Sequence, residues 1–316
     1  MENPTQILVS VIMPAYNASA HIAESIASVQ QQTYERWELI IVNDGSTDTT
    51  ADIVKDHILK DARIIYLEQE NGKQGKARNA GIKNAKGMLV GFIDADDIWM
   101  PHKLQEQIAF MNQMNADVVF SDTILIDEQG ITQKQSWGVK DQLYRGEEGL
   151  LAFVQENKAP LLTVLAKKES IVSVNGFSEL SDRQYVEDYD LWLRMLQHSI
   201  VFAGSSEKLA AYRLHSNMSV ERKKSILHVM DILKTVNMKD EKLKQKQRTA
   251  LVLWIRKCIK TCMPAITTDD MQKIIALFPS SFERNFFSFL NSILRKRMMA
   301  QLILFYSRNV AKKHFA

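Results

Sequence analysis

The chain predicts an α/β fold, a mainly parallel sheet flanked by helices, and two observations predict it. Four strand–helix units follow one another within about 115 residues, which argues for a sheet covered by helices on both faces. Polar residues follow the strands directly, at Asn17, at Asp44 and at Asp94–Asp97. In parallel sheets ligands bind at the carboxyl ends of the strands, so these groups would gather at one edge.

The elements follow from local pattern. Ile7–Met13 is a β-branched and apolar run stopped by Pro14, and residues 19–32 carry Ile22, Ile26 and Val29 on one helical face. Trp37–Val42 is the second strand, and Thr47 to about Leu59 the second helix, with Ser46 or Asp48 as its N-cap. Arg63–Leu67 is the third strand, and 73–86 is a helix ended by Gly87. Met88–Ile93 is the fourth strand. Pro101 sits where a first helical turn accepts it, so 102–114 is a fourth helix. Asp117–Ile126 is a strand, and Asp127–Gly130 is a turn. Residues 130–220 are less regular, with a helix over Val186–His198 and short strands at Ile200–Phe202 and Leu209–Tyr212. Beyond 219 the pattern is helical, over 221–238, 241–262, 269–278 and 281–312.

With 316 residues, 46% of them hydrophobic and 24% charged, a sizeable core is available. The net charge of +3 hides an asymmetry of about −10 over 1–220 and about +13 over 221–316, so the two parts are expected to meet different partners. Cys258 and Cys262 are spaced i,i+4 on a helix, which does not favour a disulfide and fits a reducing compartment. The start lacks the basic and apolar regions of a signal peptide, and no stretch approaches the ~20 apolar residues of a membrane span. A cytoplasmic protein is expected.

Residues 88–97, Met-Leu-Val-Gly-Phe-Ile-Asp-Ala-Asp-Asp, are the most informative segment. A buried strand does not end in Asp94, Asp96 and Asp97 cheaply, because like charges repel and each resists dehydration. A cation reverses the cost. Asp94 and Asp96 share a face of an extended segment, and hard oxygen ligands suit Mg²⁺ or Mn²⁺ held with a substrate diphosphate. The plainer alternative is that Asp97 caps a turn while the others face water. Asp44 ends a strand where it would accept from a base or ribose, or where Asp-Gly merely forms a turn. Asn71–Asn79 sets glycines and cations before a helix, which suits phosphate or a solvated loop. Glu187-Asp188-Tyr189-Asp190 opens a helix, where acids are favoured by the macrodipole alone; a carboxylate there would also serve as a general base. His215 would ligate a metal or meet a phosphate, or is an ordinary surface or core histidine.

Taken in order, these segments resemble the family 2 glycosyltransferases of the GT-A fold, a Rossmann-like sheet flanked by helices. The likeness spans roughly 7–217 and rests on Val9-Ser-Val-Ile-Met-Pro-Ala-Tyr-Asn17, Ile41-Val-Asn-Asp-Gly-Ser-Thr-Asp48, Gly75-Lys-Ala-Arg-Asn-Ala-Gly81, Phe92-Ile-Asp-Ala-Asp-Asp-Ile-Trp99, Glu187-Asp-Tyr-Asp-Leu-Trp-Leu-Arg194 and Tyr212-Arg-Leu-His215. The resemblance implies a nucleotide pocket lined by Pro14, Ala15, Tyr16 and Asn17, with Asp44 on the base, usually uracil, and Arg78 in the segment near the nucleotide. It implies that Asp94 meets the ribose or the metal-bound diphosphate beside Ala95, and that Asp96 binds Mn²⁺ or Mg²⁺. His215 would approach the metal or diphosphate. Asp188 would be the catalytic base, with Glu187 beside it on the acceptor side. Asn43 stands where many relatives have another Asp. Residues 1–220 would form the transferase domain, 1–115 its nucleotide-binding half and 116–220 its acceptor and catalytic half.

The resemblance implies an inverting, metal-dependent transfer of a sugar from a nucleotide sugar, a UDP-sugar, to a hydroxyl of a glycan or polyisoprenoid-linked acceptor in polysaccharide assembly. Two alternatives differ in class. A non-catalytic nucleotide-sugar-binding protein is opposed by Asp94, Asp96 and Asp188 occurring together. A nucleotidyltransferase would carry a Gly-rich Arg/Lys loop after the first strand, where Pro14-Ala-Tyr-Asn17 stands. The 221–316 region interleaves Arg222-Lys-Lys224, Lys242–Arg248, Arg295-Lys-Arg297 and Lys312-Lys313 with Phe286, Phe287, Leu290 and Phe305. It reads either as helices packed with charged faces outward or as an attachment to an anionic membrane surface, peripheral to the inner face of the plasma membrane. No nucleic-acid motif is present.

Overall fold

The computed structural model describes residues 7–214, 218–262, 266–276, 278, 280–293 and 296–315. The chain divides into two compact units, Met1–Gly149 with Asn157–His215, and Leu150–Glu156 with Ser216–Ala316.

The first unit is built on one mixed sheet. β1 (Val9–Ala15), β2 (Trp37–Asn43), β3 (Ile64–Glu68) and β4 (Leu89–Phe92) are parallel, in the order β3-β2-β1-β4. Three helices connect them: α1 (Ile22–Gln30), α2 (Thr50–Ile58) and α3 (Lys73–Asn84). After β5 (Ile98–Trp99), α4 (Lys103–Met114) leads to β6 (Val118–Ile126).

Alternation along β1 explains the layers. Val9, Val11 and Met13 share a buried cluster with Ile22, Ile26 and Val29 of α1, Val54 of α2, and Leu104, Ile108 and Met111 of α4. Ile12 faces the other way, and Gly81 of α3 sits against it: a Cβ there would lie 2.5 Å from Ile12 Cγ2. Helices therefore cover both faces, as the alternating pattern predicts.

The second half of the unit is less regular, and most of its strands were not legible from pattern. β9 (Leu165–Lys167) is only three residues long, yet it inserts antiparallel between β4 and β6. Three residues are too few to show a period. β7 (Thr132–Ser136) and β8 (Gln142–Tyr144) pair antiparallel with β6 and with β10 (Phe202–Arg213). The two short strands expected at 200–212 are one strand, β10, which runs parallel to β6 with register shifts at Ser205–Ala210. Polar Ser205–Lys208 mimics a loop because the strand bulges there. Two further helices, α5 (Gly146–Gln155) and α6 (Lys168–Val172), precede α7 (Glu187–Gln197).

The second unit holds α8 (Met218–Thr235), α9 (Glu241–Cys262), α10 (Thr268–Ala276), α11 (Ser281–Ile293) and α12 (Lys296–Phe315). The single helix expected over 281–312 is thus two, and no Gly or Pro in the sequence marks the division. Its core includes Phe278 and Phe287 with ring centroids 4.6 Å apart, and Trp254 donates its indole N–H to the Val154 carbonyl at 3.0 Å. Among the described residues no helix is long and apolar enough to cross a membrane.

Candidate active site

Strand order reverses between β1 and β4, since β2 and β3 lie on one side of β1 and β4 on the other. Ligands of open α/β sheets bind at the carboxyl ends of such a pair. The register shows why there is room. The β1–β4 ladder ends at Ile12 and Phe92, and Pro14 follows two residues later on the same side, with no N–H to continue it.

The loops after β1 and β2 are tied to each other. Asn17 takes a left-handed backbone (φ 48°), its side-chain oxygen accepts the Thr47 N–H at 2.8 Å, and its own N–H donates to Ser46 Oγ at 3.0 Å. Tyr16 beside it is half-exposed, whereas Ala15 is buried. Asp44 is buried and accepts three bonds: from the Gln69 side chain at 2.7 Å, from the Gly72 N–H at 2.8 Å and from the Lys73 N–H at 2.9 Å. The carboxylate thus fixes the turn that starts α3, where Lys73 has φ 71°.

At the end of β4 the chain turns back, with the Asp97 N–H donating to the Asp94 carbonyl at 3.1 Å. Asp97 is buried, and its Oδ1 accepts the Arg213 N–H at 2.9 Å while Oδ2 has no partner. Burial, and then the charges of Asp96 and Asp94, push its carboxyl well above the usual range. Asp94 and Asp96 remain partly exposed. Arg213, buried at the end of β10, donates to the Asp96 carbonyl at 2.7 Å, to the carbonyls of Asp127 and Glu128 at 3.2 Å each, and to Glu24 at 2.7 Å.

Arg78 of α3 joins this turn to α7. It is buried, one terminal amino group donates to Asp94 Oδ1 at 2.7 Å, and the other donates to Glu187 Oε1 at 2.7 Å. Burial alone would lower its pKa, but the two carboxylates outweigh it and raise it. Gly75 lets α3 approach closely, since a Cβ there would lie 2.7 Å from the Ser178 carbonyl.

Asp188 stands beside Glu187 in the first turn of α7, whose N-cap residue, Val186, offers no side-chain bond. Its carboxyl is pushed up to about 7, first by burial and then by the Glu187 charge. The Tyr189 N–H, Arg78 and Asn157 pull it back only in part. Asn157 donates to Asp188 Oδ2 at 3.3 Å. A carboxyl poised near neutrality beside a buried ion-pair network can take a proton from an incoming hydroxyl.

The structure therefore brings Arg78, Asp94, Glu187 and Asp188 into one network, with Asp96 and Asp97 on the adjoining turn. It also shows where pattern reading and geometry differ in detail. Arg78, expected near the nucleotide, spends both terminal amino groups on protein carboxylates. Arg213 and Asn157 also belong to the site, through Asp97 and Asp188. A cation ending an apolar strand was a usable signal for Arg213, while nothing in the sequence marks Asn157. His215 lies outside the described residues.

Among the described residues no three His, Cys, Asp or Glu side chains form a metal cage. Asp94 and Asp96 nonetheless fit Mg²⁺ or Mn²⁺, which are commonly held by one or two carboxylates together with substrate phosphates and water.

Comparison with known proteins bears on the family and the fold. The sequence profile of glycosyl transferase family 2 matches residues 10–164. TuaG of Bacillus subtilis, a glycosyltransferase assigned provisionally to teichuronic acid biosynthesis, is 32% identical over 212 residues, 66% of this chain and 80% of that protein. The UDP-Glc:alpha-D-GlcNAc-diphosphoundecaprenol beta-1,3-glucosyltransferase WfgD of Escherichia coli is 33% identical over 229 residues, 72% of this chain and 85% of that protein. In fold the chain is similar to Staphylococcus aureus TarS 1–349 in complex with UDP-GlcNAc, with a TM-score of 0.67 at 18% identity, over 98% of this chain and 91% of that one. On the identity and coverage of TuaG and WfgD, the chain belongs to glycosyl transferase family 2 and is a glycosyltransferase of GT-A fold.

Proposed function

We propose that the protein is an inverting transferase that moves a sugar from a UDP-sugar to a hydroxyl of a lipid-linked glycan in polysaccharide assembly, with Asp188 as the catalytic base. The observation that carries this reading is the Asp188 carboxyl, pushed up to about 7 beside the Glu187–Arg78–Asp94 bridge. A base of that strength is near-optimal at neutral pH. The donor and the acceptor class are supported by the UDP-sugar and diphosphoundecaprenol in the name of WfgD and by the UDP-GlcNAc in the TarS complex.

In this reading Asp188 removes the proton from the acceptor hydroxyl as its oxygen bonds to the anomeric carbon. The bond from that carbon to the diphosphate oxygen breaks, and the electron pair leaves with the nucleotide. Attack from the opposite face inverts the centre without a covalent enzyme intermediate. Pro14 to Asn17 and Asp44 frame the nucleotide, and Glu187 lies on the acceptor side. Arg78 keeps Asp94 and Glu187 in fixed register. Asp94 meets the ribose or the metal-bound diphosphate, and Asp96, with His215, would hold Mn²⁺ or Mg²⁺, which when bound neutralises charge developing on the departing diphosphate.

A paired substitution tests these roles. Asp188→Asn should keep UDP affinity within about threefold and lower transfer by roughly 10³-fold or more, a typical loss for a catalytic base. Asp96→Ala should weaken Mn²⁺-dependent UDP binding about 10- to 100-fold. Transfer by Asp188→Asn at the wild-type rate removes the base assignment, and unchanged Mn²⁺-dependent affinity in Asp96→Ala removes the metal ligand.

The domain division at residue 220 belongs to the same proposal, as does a cytoplasmic location with the basic 221–316 region at the anionic inner face of the membrane. Intact protein should cosediment with phosphatidylglycerol vesicles at 0.05 M salt and be released at 0.5 M. Equal sedimentation with neutral vesicles would remove the electrostatic attachment.

A further inference from the structure

Trp137, between β7 and β8, is 45% exposed although two contacts hold it. Its indole N–H donates to the Asn157 carbonyl at 3.4 Å. Its ring stands edge-on to Tyr212, with centroids 6.3 Å apart and planes at 78°. The next residue, Gly138, has φ 86° with open space around it, and its N–H donates to Asp122 at 2.9 Å, which fixes the turn that presents the indole.

Both anchors of Trp137 belong to the catalytic neighbourhood. Asn157 is the residue whose side chain donates to Asp188. Tyr212 precedes Arg213, whose N–H meets Asp97. Its phenol is held protonated, first by burial and then by the fields of Asp97, Asp94, Asp96 and Asp188.

Isolated exposed aromatics are ordinary on protein surfaces and carry no argument alone. Trp137 differs in being oriented from two sides, by a hydrogen bond and by a ring contact, and the hydrogen-bonded side leads through Asn157 to Asp188. An indole fixed in this way offers a rigid apolar plane at little entropic cost. Sugar rings match such a plane, because their C–H faces are apolar while their hydroxyls lie at the rim.

We propose that Trp137 is the platform for the acceptor's terminal sugar: the C–H face of a pyranose packs on the indole, and a rim hydroxyl reaches Asp188. The inference rests on Asp188 being the base, and it narrows the acceptor class. The acceptor ends in a sugar ring, not in a polyol phosphate or a bare lipid phosphate. Asn157 is a positioning residue, tying platform and base together through its backbone carbonyl and its side-chain amide.

Saturation-transfer NMR on the intact protein with saturating UDP and Mn²⁺ tests this, using methyl α-N-acetylglucosaminide and glycerol 3-phosphate as probes. Wild type should transfer saturation to the C–H protons of the glycoside and not to glycerol 3-phosphate. Trp137→Ala should reduce that signal at least fivefold, and Trp137→Phe, which keeps an aromatic face but loses the indole N–H, should restore at least half of it. Thermal melting of both variants should stay within a few degrees of wild type. Equal signal in Trp137→Ala and wild type, no signal on the glycoside in wild type, or equal signal on glycerol 3-phosphate would each overturn the platform. Failure of UDP itself to bind the wild type would overturn the donor reading and the platform with it, a result separable from the others because it precedes the probes.

Discussion

The acids around the β1 and β2 loops and the acids around Arg78 are the same kind of side chain held in opposite states. Asp48 accepts N–H bonds from Thr50 at 3.0 Å and Ser19 at 3.1 Å, and together with the Thr50 hydroxyl these overcome desolvation and hold its carboxyl well below the usual range. Asp61, away from these loops between α2 and β3, is likewise held at about 2, chiefly by hydrogen bonds from Arg63. Across the site, Asp188 has one side-chain donor at 3.3 Å and a carboxylate for a neighbour, and it is pushed up to about 7. Asp97 has one backbone donor for two oxygens and is raised well above its usual range by burial and by Asp96 and Asp94. Donor count separates the two groups. Well-supplied carboxylates fix loops; under-supplied ones are ready to exchange protons.

Arg78 is where this contrast breaks most severely. Replacing it with Met leaves Glu187 buried and Asp94 unpaired, so Arg78→Met should lose about 3–5 kcal/mol of stability, the usual consequence of orphaning a buried charge. Urea unfolding at pH 7 checks this, and a loss under about 1 kcal/mol would mean that water or other donors already satisfy the two carboxylates.

A smaller effect is expected at the other pole. Asp48→Ala should lose only about 0.5–1 kcal/mol, since the site is exposed and screened, and transfer per folded molecule should be unchanged. Asp48 has a folded-state pKa below its unfolded value. Its contribution is therefore full above about pH 4 and disappears as pH falls through the folded value. The stability gap between Asp48→Ala and wild type should close on acidification; a gap that is constant from pH 7 to 2 would show that its charge is irrelevant.

The two regions also differ in what the sequence disclosed. Val9–Ala15 and Trp37–Asn43 announced themselves because each is long, apolar and followed by a helical period, and Leu89–Phe92 because it lies within the apolar run 88–93. The strand-end carboxylates stood out against those runs, so Asp44, Asp94 and Asp96 were legible. Asp188 was legible as an acid opening a helix, though the macrodipole explained it equally well. The features that complete the site come from residues whose partners are far away in sequence. Arg78 and Glu187 are separated by 109 positions, and Arg213 and Glu24 by 189. No local pattern encodes such pairs. Trp137 and Asn157 lie in irregular chain, and β9 owes its place to its neighbours rather than to its three residues. Asp97 shows the limit from the other side. Its residue type was visible, but its burial and its one donor, the Arg213 N–H, come from β10, which the sequence resolved only as two fragments.

The pH dependence of kcat/KM for transfer from a UDP-sugar tests the central claim most directly, because it reports the ionisation of essential groups in the free enzyme. With Asp188 required as the carboxylate, and its carboxyl pushed up to about 7, kcat/KM should climb about tenfold per pH unit below that value and level off above it. A profile already flat between pH 5 and 8 would contradict the account, since a carboxyl with an ordinary pKa would be fully ionised throughout that range.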